Sequence, residues 1–327
     1  MDPITHAALG AACAQIVLYK QDQSNAWLVG ALAALAPDLD IFIRDNSNPL
    51  ATLLYHRHFT HSLSFILPGG LLVGLFLLLF KRFRHTWKIT LLAAMIGYAT
   101  HGLLDACTNY GTLLLWPFSD RRISWDIIAI INPFFTVPLV LGVSWTFFHK
   151  EPRGAIIGLL LAGLFLIFNT VQHHRAVSTA QAYNKKQHWP ITSLRAFPMS
   201  YSSTHWRVAA KDNHLLRIMT INTPLTQKSK VTPIAIFPLF TSAELPSYVT
   251  QSPQLSYNFS LFNWFTDGYL ILVKQNPLTL ADGRFLTGFQ PVIALWGLQF
   301  LPVQPYINIL SFITLEEIND CSIACHR

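Results

Sequence analysis

Charge is what this 327-residue chain has least of: Asp, Glu, Lys and Arg make up 12% of it, against 52% hydrophobic residues. That imbalance argues against an ordinary soluble enzyme and towards a membrane protein. Cysteine is scarce as well. The four cysteines, Cys13, Cys107, Cys321 and Cys325, are too few for a disulfide scaffold, and the last two read as part of a frayed tail. No lipidation signature, internal repeat or low-complexity tract is visible. A cleavable signal peptide is not expected either, since MDPITH puts an acid where a basic leader belongs. The formal charge of +7 raises the question of nucleic acid. Its densest basic cluster, Lys81–Lys88 (KRFRHTWK), is wedged between two apolar runs. A short basic loop in that position marks a cytoplasmic connection, so no nucleic-acid partner is expected.

Long apolar runs are abundant. Ser62–Phe80, Ile89–Cys107, Ile127–Phe148 and Gly154–Val171 are each about long enough to cross a hydrocarbon core of roughly 30 Å as a helix. Within the first, Leu71–Phe80 offers no polar residue for a solvent face. Two shorter stretches, Ala7–Tyr19 and Ala26–Ala36, flank the polar turn Lys20–Asn25 and read as an antiparallel helix pair, capped by Thr5 or Asp2 and by Ser24. From about Gln172 prolines and short alternating runs take over, as in His205–Ala210, His214–Ile221 and Gly268–Gln275, with a turn at Ala281–Arg284. The expected fold is therefore a mainly α-helical membrane protein. It has four long transmembrane helices and a shorter N-terminal helix pair (residues 1–175), followed by a small β-rich extracytoplasmic domain (residues 176–327).

Topology gives the polar residues their meaning. With Lys81–Lys88 and the second basic loop, His149–Arg153, inside, the C-terminal domain falls outside, which in a bacterium is the periplasm. His56, His58 and His61 then lie at the outer end of the first long span, His101 and Asp105 at the outer end of the next, and Trp125 and Asp126 open the one after. If Lys20–Asn25 is cytoplasmic, His6, Asp38 and Asp40 reach the same face. Scatter by chance would divide these residues between the two faces. His101 and Asp105 are i and i+4 on one helix, so their side chains share a face. Imidazole with carboxylate suits Zn²⁺, Mn²⁺ or Fe²⁺. Asp38 and Asp40, two apart in a Pro-led turn, can supply one ligand and one residue that orients ligands. Isolated histidines such as His85, His149, His173 and His174 read as caps or interface residues, and Asp126 equally well as a helix cap.

At these residues the chain resembles the bacterial inner-membrane metal-dependent hydrolases of the YdjM type, a family described as LexA-regulated. The matching elements are THAALG, PDLD, HRHFTHS, HGLLDACTNYG and WPFSDRRISWD followed by Asn132–Pro133, in the family's order over about residues 1 to 175. The resemblance implies a metal site at His6, Asp38, Asp40, His56, His61, His101 and Asp105. His58 departs from it, standing where the family has a small residue between HR and THS. A fainter likeness of order, His…Asp…His…HxxxD, runs to the α-helical zinc phospholipase C and nuclease group and implies phosphoester chemistry.

These readings combine into a membrane-bound hydrolase at the outer membrane interface, cleaving a phosphoester or lipid-like substrate with metal-activated water. The cofactor is a divalent metal, zinc first and manganese or iron next, and the partner is membrane lipid. Asp38 or Asp40 would accept the proton, Arg57 would steady a phosphate or oxyanion, and Arg121 and Arg122 would help hold an anionic head group. A transporter or a non-enzymatic metal-binding membrane protein is the alternative. An ion pathway would spread ionisable groups through the membrane, whereas the cytoplasmic halves of the long spans are bare.

Overall fold

A computed structural model describes residues 1–45, 48–289, 291–303 and 306–315; Cys321 and Cys325 lie outside the described residues. The chain divides into two compact units. One comprises Met1–Arg44, Tyr55–His173 and Phe197–Ser203, the other Asp45–Leu54, His174–Ala196 and the chain from Thr204.

The first unit is helical. Helix α1 (Pro3–Leu18) starts at Asp2, whose carboxylate accepts the Thr5 N–H at 3.0 Å, with Pro3 in the first turn, where its missing N–H costs nothing. Helix α2 (Ala26–Leu35) is preceded by Asn25 rather than capped by Ser24, and the Asn25 N–H is taken by Asp22 at 3.1 Å. Pro37 cannot continue the α-helical ladder, so α2 tightens into a 3₁₀ turn over Ala36–Phe42. Helix α3 (Ala51–Tyr55) falls almost wholly in the other unit; the first resumes with 3₁₀ turns at Phe59–His61 and Leu63–Phe65, α4 (Ile66–Leu77), α5 (Lys81–Arg84) and α6 (Trp87–Ala106). Helices α7 (Pro133–His149) and α8 (Arg153–Lys186) complete the helical half of the chain. Backbones of α1, α2 and α6 meet where glycines allow it: a Cβ on Gly97 would lie 2.2 Å from the Gly30 carbonyl, and one on Gly30 would lie 2.4 Å from that of Gly10. Side-chain-free contact of this kind draws helices together where lipid provides no hydrophobic drive.

The expected four long membrane helices must be corrected. Among the described residues two helices are long and apolar enough to cross a membrane, α6 and α8, or three if the pair Ala51–His61 and Leu63–Leu77, bent by 60°, forms one broken span. The window Ser62–Phe80 is not one helix, because backbone groups at its start are used elsewhere. Leu63 N–H bonds Leu114 O at 2.9 Å, and Thr60 O accepts from the Tyr98 hydroxyl at 2.8 Å. The window Ile127–Phe148 loses its first turns in the same way. Ile127 and Ile128 both donate to Cys107 O, at 2.9 and 3.1 Å, and the helix begins only where Asn132 accepts the Phe134 N–H. Asn132, not Asp126, is therefore the cap. Apolar character in these windows marks buried core and exposed apolar surface, not unbroken helix.

The second unit is β-rich, as expected. A four-stranded sheet runs β1 (Ser193–Pro198), β2 (His205–Lys211), β3 (Leu215–Asn222), β4 (Lys230–Pro238), with the last three antiparallel in sequence order. Two helices, α9 (Ser247–Thr250) and α10 (Pro253–Phe265), lead to a second sheet of β5 (Leu270–Lys274), β6 (Thr279–Asp282), β7 (Leu286–Thr287), β8 (Val292–Phe300) and β9 (Ile307–Leu315). The segment Asp45–Leu54 belongs to this unit: Leu50, 1% exposed, packs in one core with Phe240, Val249 and Phe262.

Candidate metal centre

Four segments of the helical unit deliver the polar residues. The 3₁₀ turn after α2 carries Asp38 and Asp40, the broken segment before α4 carries His56, Arg57 and His61, α6 carries His101 and Asp105, and α1 carries His6. Gly102 makes the meeting possible, since a Cβ there would stand 2.1 Å from the His61 carbonyl.

Asp38, His61, His101 and Asp105 form one group whose ligand atoms all lie within 4.8 Å of one another. The His61 and His101 Nε2 atoms are 2.9 Å apart. Asp38 Oδ1 is 3.4 and 3.3 Å from them, and Asp105 Oδ2 is 3.3 and 3.4 Å away. His61, His101 and Asp105 are buried, and the Asp38 side chain, 25% exposed, forms the open side.

Hydrogen bonds on the far side of each ring decide what these atoms offer. His101 Nδ1 lies 2.6 Å from the carbonyl oxygen of Ala34, which can only accept, so Nδ1 carries the proton and Nε2 a lone pair. The Thr60 hydroxyl donates to Asp40 Oδ2 at 2.9 Å. With that proton engaged, His61 Nδ1 is the donor towards Thr60 Oγ1 (3.0 Å) and Asp40 Oδ2 (3.2 Å), so a neutral His61 keeps its lone pair on Nε2. With both rings neutral, two nitrogen lone pairs and two carboxylate oxygens face one another, a donor set that suits a divalent cation. A tetrahedral ion with bonds of about 2.0–2.1 Å sets its ligands about 3.3–3.4 Å apart. Most of the observed spacings match that edge, so the residues present fit a zinc-like divalent ion.

Asp40 plays a different part. It accepts from His56 Nδ1 (2.8 Å), the Arg57 backbone N–H (3.0 Å) and Thr60 as well as facing His61, and it is 2% exposed. Burial pushes its carboxyl up, but the hydrogen bonds from His56 and His61 outweigh that and hold it below the usual carboxylate range. It orients the histidines rather than joining the four-residue group. The Arg57 backbone is left-handed (φ 65), a strained conformation for a residue with a side chain. Its N–H on Asp40 and its carbonyl, accepting from Leu113 N at 3.0 Å, hold it there. The guanidinium places Nε 3.2 Å from Asp105 Oδ2 and NH1 2.9 Å from Thr108 Oγ1, and it lies over the Tyr110 ring at 4.7 Å.

Of the other expected ligands, His56 stands outside the group, its ring 5.9 Å from that of His61 and its side chain 20% exposed. His6 is at the edge: Nε2 is 3.2 Å from Asp105 Oδ1, its ring stacks on His101 at 3.7 Å, and its Nδ1 has no hydrogen-bond partner. The Met1 ammonium also meets Asp105 Oδ1. His58 lies among Tyr55, Phe59 and Trp116. Sequence reasoning missed Thr60, Thr108, Tyr98 and the Ala34 carbonyl. Thr60 alone carried a signal, as a polar residue inside HRHFTHS; a backbone carbonyl carries none.

Residues 1–176 match the family described as YdjM inner membrane protein. A curated protein of Bacillus subtilis (strain 168), the uncharacterized protein YfhP, is 25% identical over 226 residues, covering 65% of this chain and 66% of its own length. This chain thus spans just under two thirds of that relative. No solved structure matches. With the match running through every segment that builds the centre, the chain belongs to the YdjM inner membrane protein family.

Proposed function

We propose that this protein is a membrane-bound, metal-dependent hydrolase acting on a phosphoester that carries an apolar tail, with its centre at the outer face of the inner membrane. The single observation that carries the reading is the group Asp38, His61, His101 and Asp105, four ligand atoms converging within 4.8 Å of one another. An ion bound there would supply Lewis acidity and a water whose pKa falls towards about 7.

The chain's own residues divide the remaining work. Ala34 O and Asp40 fix the two imidazoles with Nε2 turned inward. Because Asp40 is saturated with donors, the proton-accepting group is assigned to His56, whose Nδ1 it holds at 2.8 Å, leaving Nε2 as a base on the partly open side. An anionic substrate would meet a divalent ion and the Arg57 guanidinium, the latter 3.2 Å from Asp105. Arg122 adds a second guanidinium over Tyr110, at 5.2 Å. Apolar residues on the turn that bears the aspartates, Leu39, Ile41 and Phe42, are 61%, 43% and 66% exposed, which fits a greasy substrate arriving from lipid. The basic loops Lys81–Lys88 and His149–Arg153 support the outward orientation and a periplasmic C-terminal unit.

The test screens phosphomonoester, phosphodiester and phospholipid substrates with detergent-purified protein and with His61→Ala beside it. Turnover by wild type and background rates for the variant are expected. Equal turnover by both would count as contamination and end the hydrolase reading. Bound metal with no turnover on any substrate would favour a non-enzymatic metal-binding protein, since four protein ligands can fill a tetrahedral site.

A further inference from the structure

The β-rich unit buries three arginines, and two of them carry their own counter-charge. Arg217 NH1 meets Asp212 Oδ2 at 2.5 Å, and Arg284 grips Asp282 through Nε at 3.0 Å and NH2 at 2.7 Å. Arg207, on β2, is 6% exposed and has no carboxylate partner among the described residues. Its NH2 donates to the Gly288 carbonyl at 2.9 Å and its guanidinium lies 5.5 Å from the Phe289 ring centre, but NH1 has no hydrogen-bond partner among the described residues. Directly across the ladder, Arg207 pairs with Thr220 of β3, which is 8% exposed and whose hydroxyl also has no partner among the described residues. Cβ atoms so paired are about 4.5–5.5 Å apart on one face of the sheet. The opposite face, with Trp206, Val208, Met219 and Ile221, closes on Ala176 and Ala180 of α8, so the two orphaned groups do not belong to that core.

Burying a guanidinium without a counter-charge, or a hydroxyl without a partner, destabilises a fold. Two such groups opposite one another share one remedy, an acceptor of negative charge that takes both N–H and O–H donors. We propose that Arg207 and Thr220, roofed by the Gly288–Phe289 turn, form a binding site for a small oxyanion, a carboxylate or phosphate group. The site gives this unit a ligand-binding role of its own, independent of the metal centre.

Thermal unfolding of the full chain in detergent, in chloride buffer at constant ionic strength, tests this with inorganic phosphate and with succinate added separately. Wild type is expected to gain about 2–4 °C in Tm, saturably, with one of the two anions, and that anion names the class. Thr220→Val, which removes one donor and keeps the shape, is expected to shift the saturation point to higher anion concentration. Arg207→Met is expected to lose the response and, without anion, to be at least as stable as wild type, because an uncompensated charge has gone. No rise in wild type beyond a sodium chloride control would overturn the proposal. So would a loss of stability in Arg207→Met without added anion, since the guanidinium would then have its counter-charge within the chain.

Discussion

In the helical unit two imidazole nitrogens and two carboxylate oxygens converge on one point; in the β-rich unit Arg217 meets Asp212 and Arg284 meets Asp282, two charges answered by their neighbours, while Arg207 has none among the described residues. The two regions bury comparable numbers of ionisable groups, so burial alone does not mark a site. The sign of what is left over does. Pairs that close on themselves hold a fold together, whereas a surplus of acceptors needs a cation brought from outside. Arg57 sits between these cases, since it relieves one carboxylate, Asp105, and leaves the imidazoles unanswered.

Variants can break or sharpen that contrast. Asp105→Asn should have the largest effect: it removes the carboxylate shared by His6, His61, His101 and Arg57, and metal content and turnover should both vanish. Retention of stoichiometric metal would show that Asp105 is not a ligand. In the β-rich unit, Asp212→Ala strands the Arg217 charge and should cost about 3–5 kcal/mol in chemical denaturation with metal content untouched. Asp212→Leu with Arg217→Met should recover most of that loss, as a self-closed pair can be replaced by apolar groups. Failure to recover would mean that the pair does more than neutralise itself. His56→Gln should keep the metal and slow turnover by about 10²–10⁴-fold with little change in KM, the mark of a proton-transfer group. Metal loss in that variant would return His56 to the ligands. Asp40→Asn, which disturbs the support of the rings and of the Arg57 backbone, should weaken metal affinity by about 10–100-fold, measured by competition with a chelating dye. An unchanged affinity would show that His61 is oriented by Thr60 alone.

The four-residue group was legible in the sequence because its members announce themselves. His101 and Asp105 share a helix face by spacing, and topology brings PDLD and HRHFTHS to the same end. The division of labour within the wider set was not legible. Asp38 and Asp40 differ by two residues and by everything else, and only the 3₁₀ turn at Pro37 decides that one faces the group while the other turns to His56, Arg57 and Thr60. His56 and His61 were both expected ligands, and the left-handed Arg57 lies between the one that joins the group and the one that does not. Helix lengths misled for a related reason. Hydropathy senses apolar surroundings, not hydrogen-bond destinations, and Ser62–Phe65 and Ile127–Asn132 give their backbone groups to tertiary partners. The strands at His205–Lys211, Leu215–Asn222 and Leu270–Lys274 were visible by alternation, but the association of Asp45–Leu54 with that unit rests on Leu50 finding its core, which no local pattern records.

The central claim is that the converging acceptors hold a divalent ion. Elemental analysis of protein purified in detergent without chelators, wild type beside His101→Ala/Asp105→Ala, tests it most directly. About one zinc, manganese or iron ion per chain is expected in wild type and none in the double variant. A metal-free wild type, or equal metal in both proteins, would contradict the account.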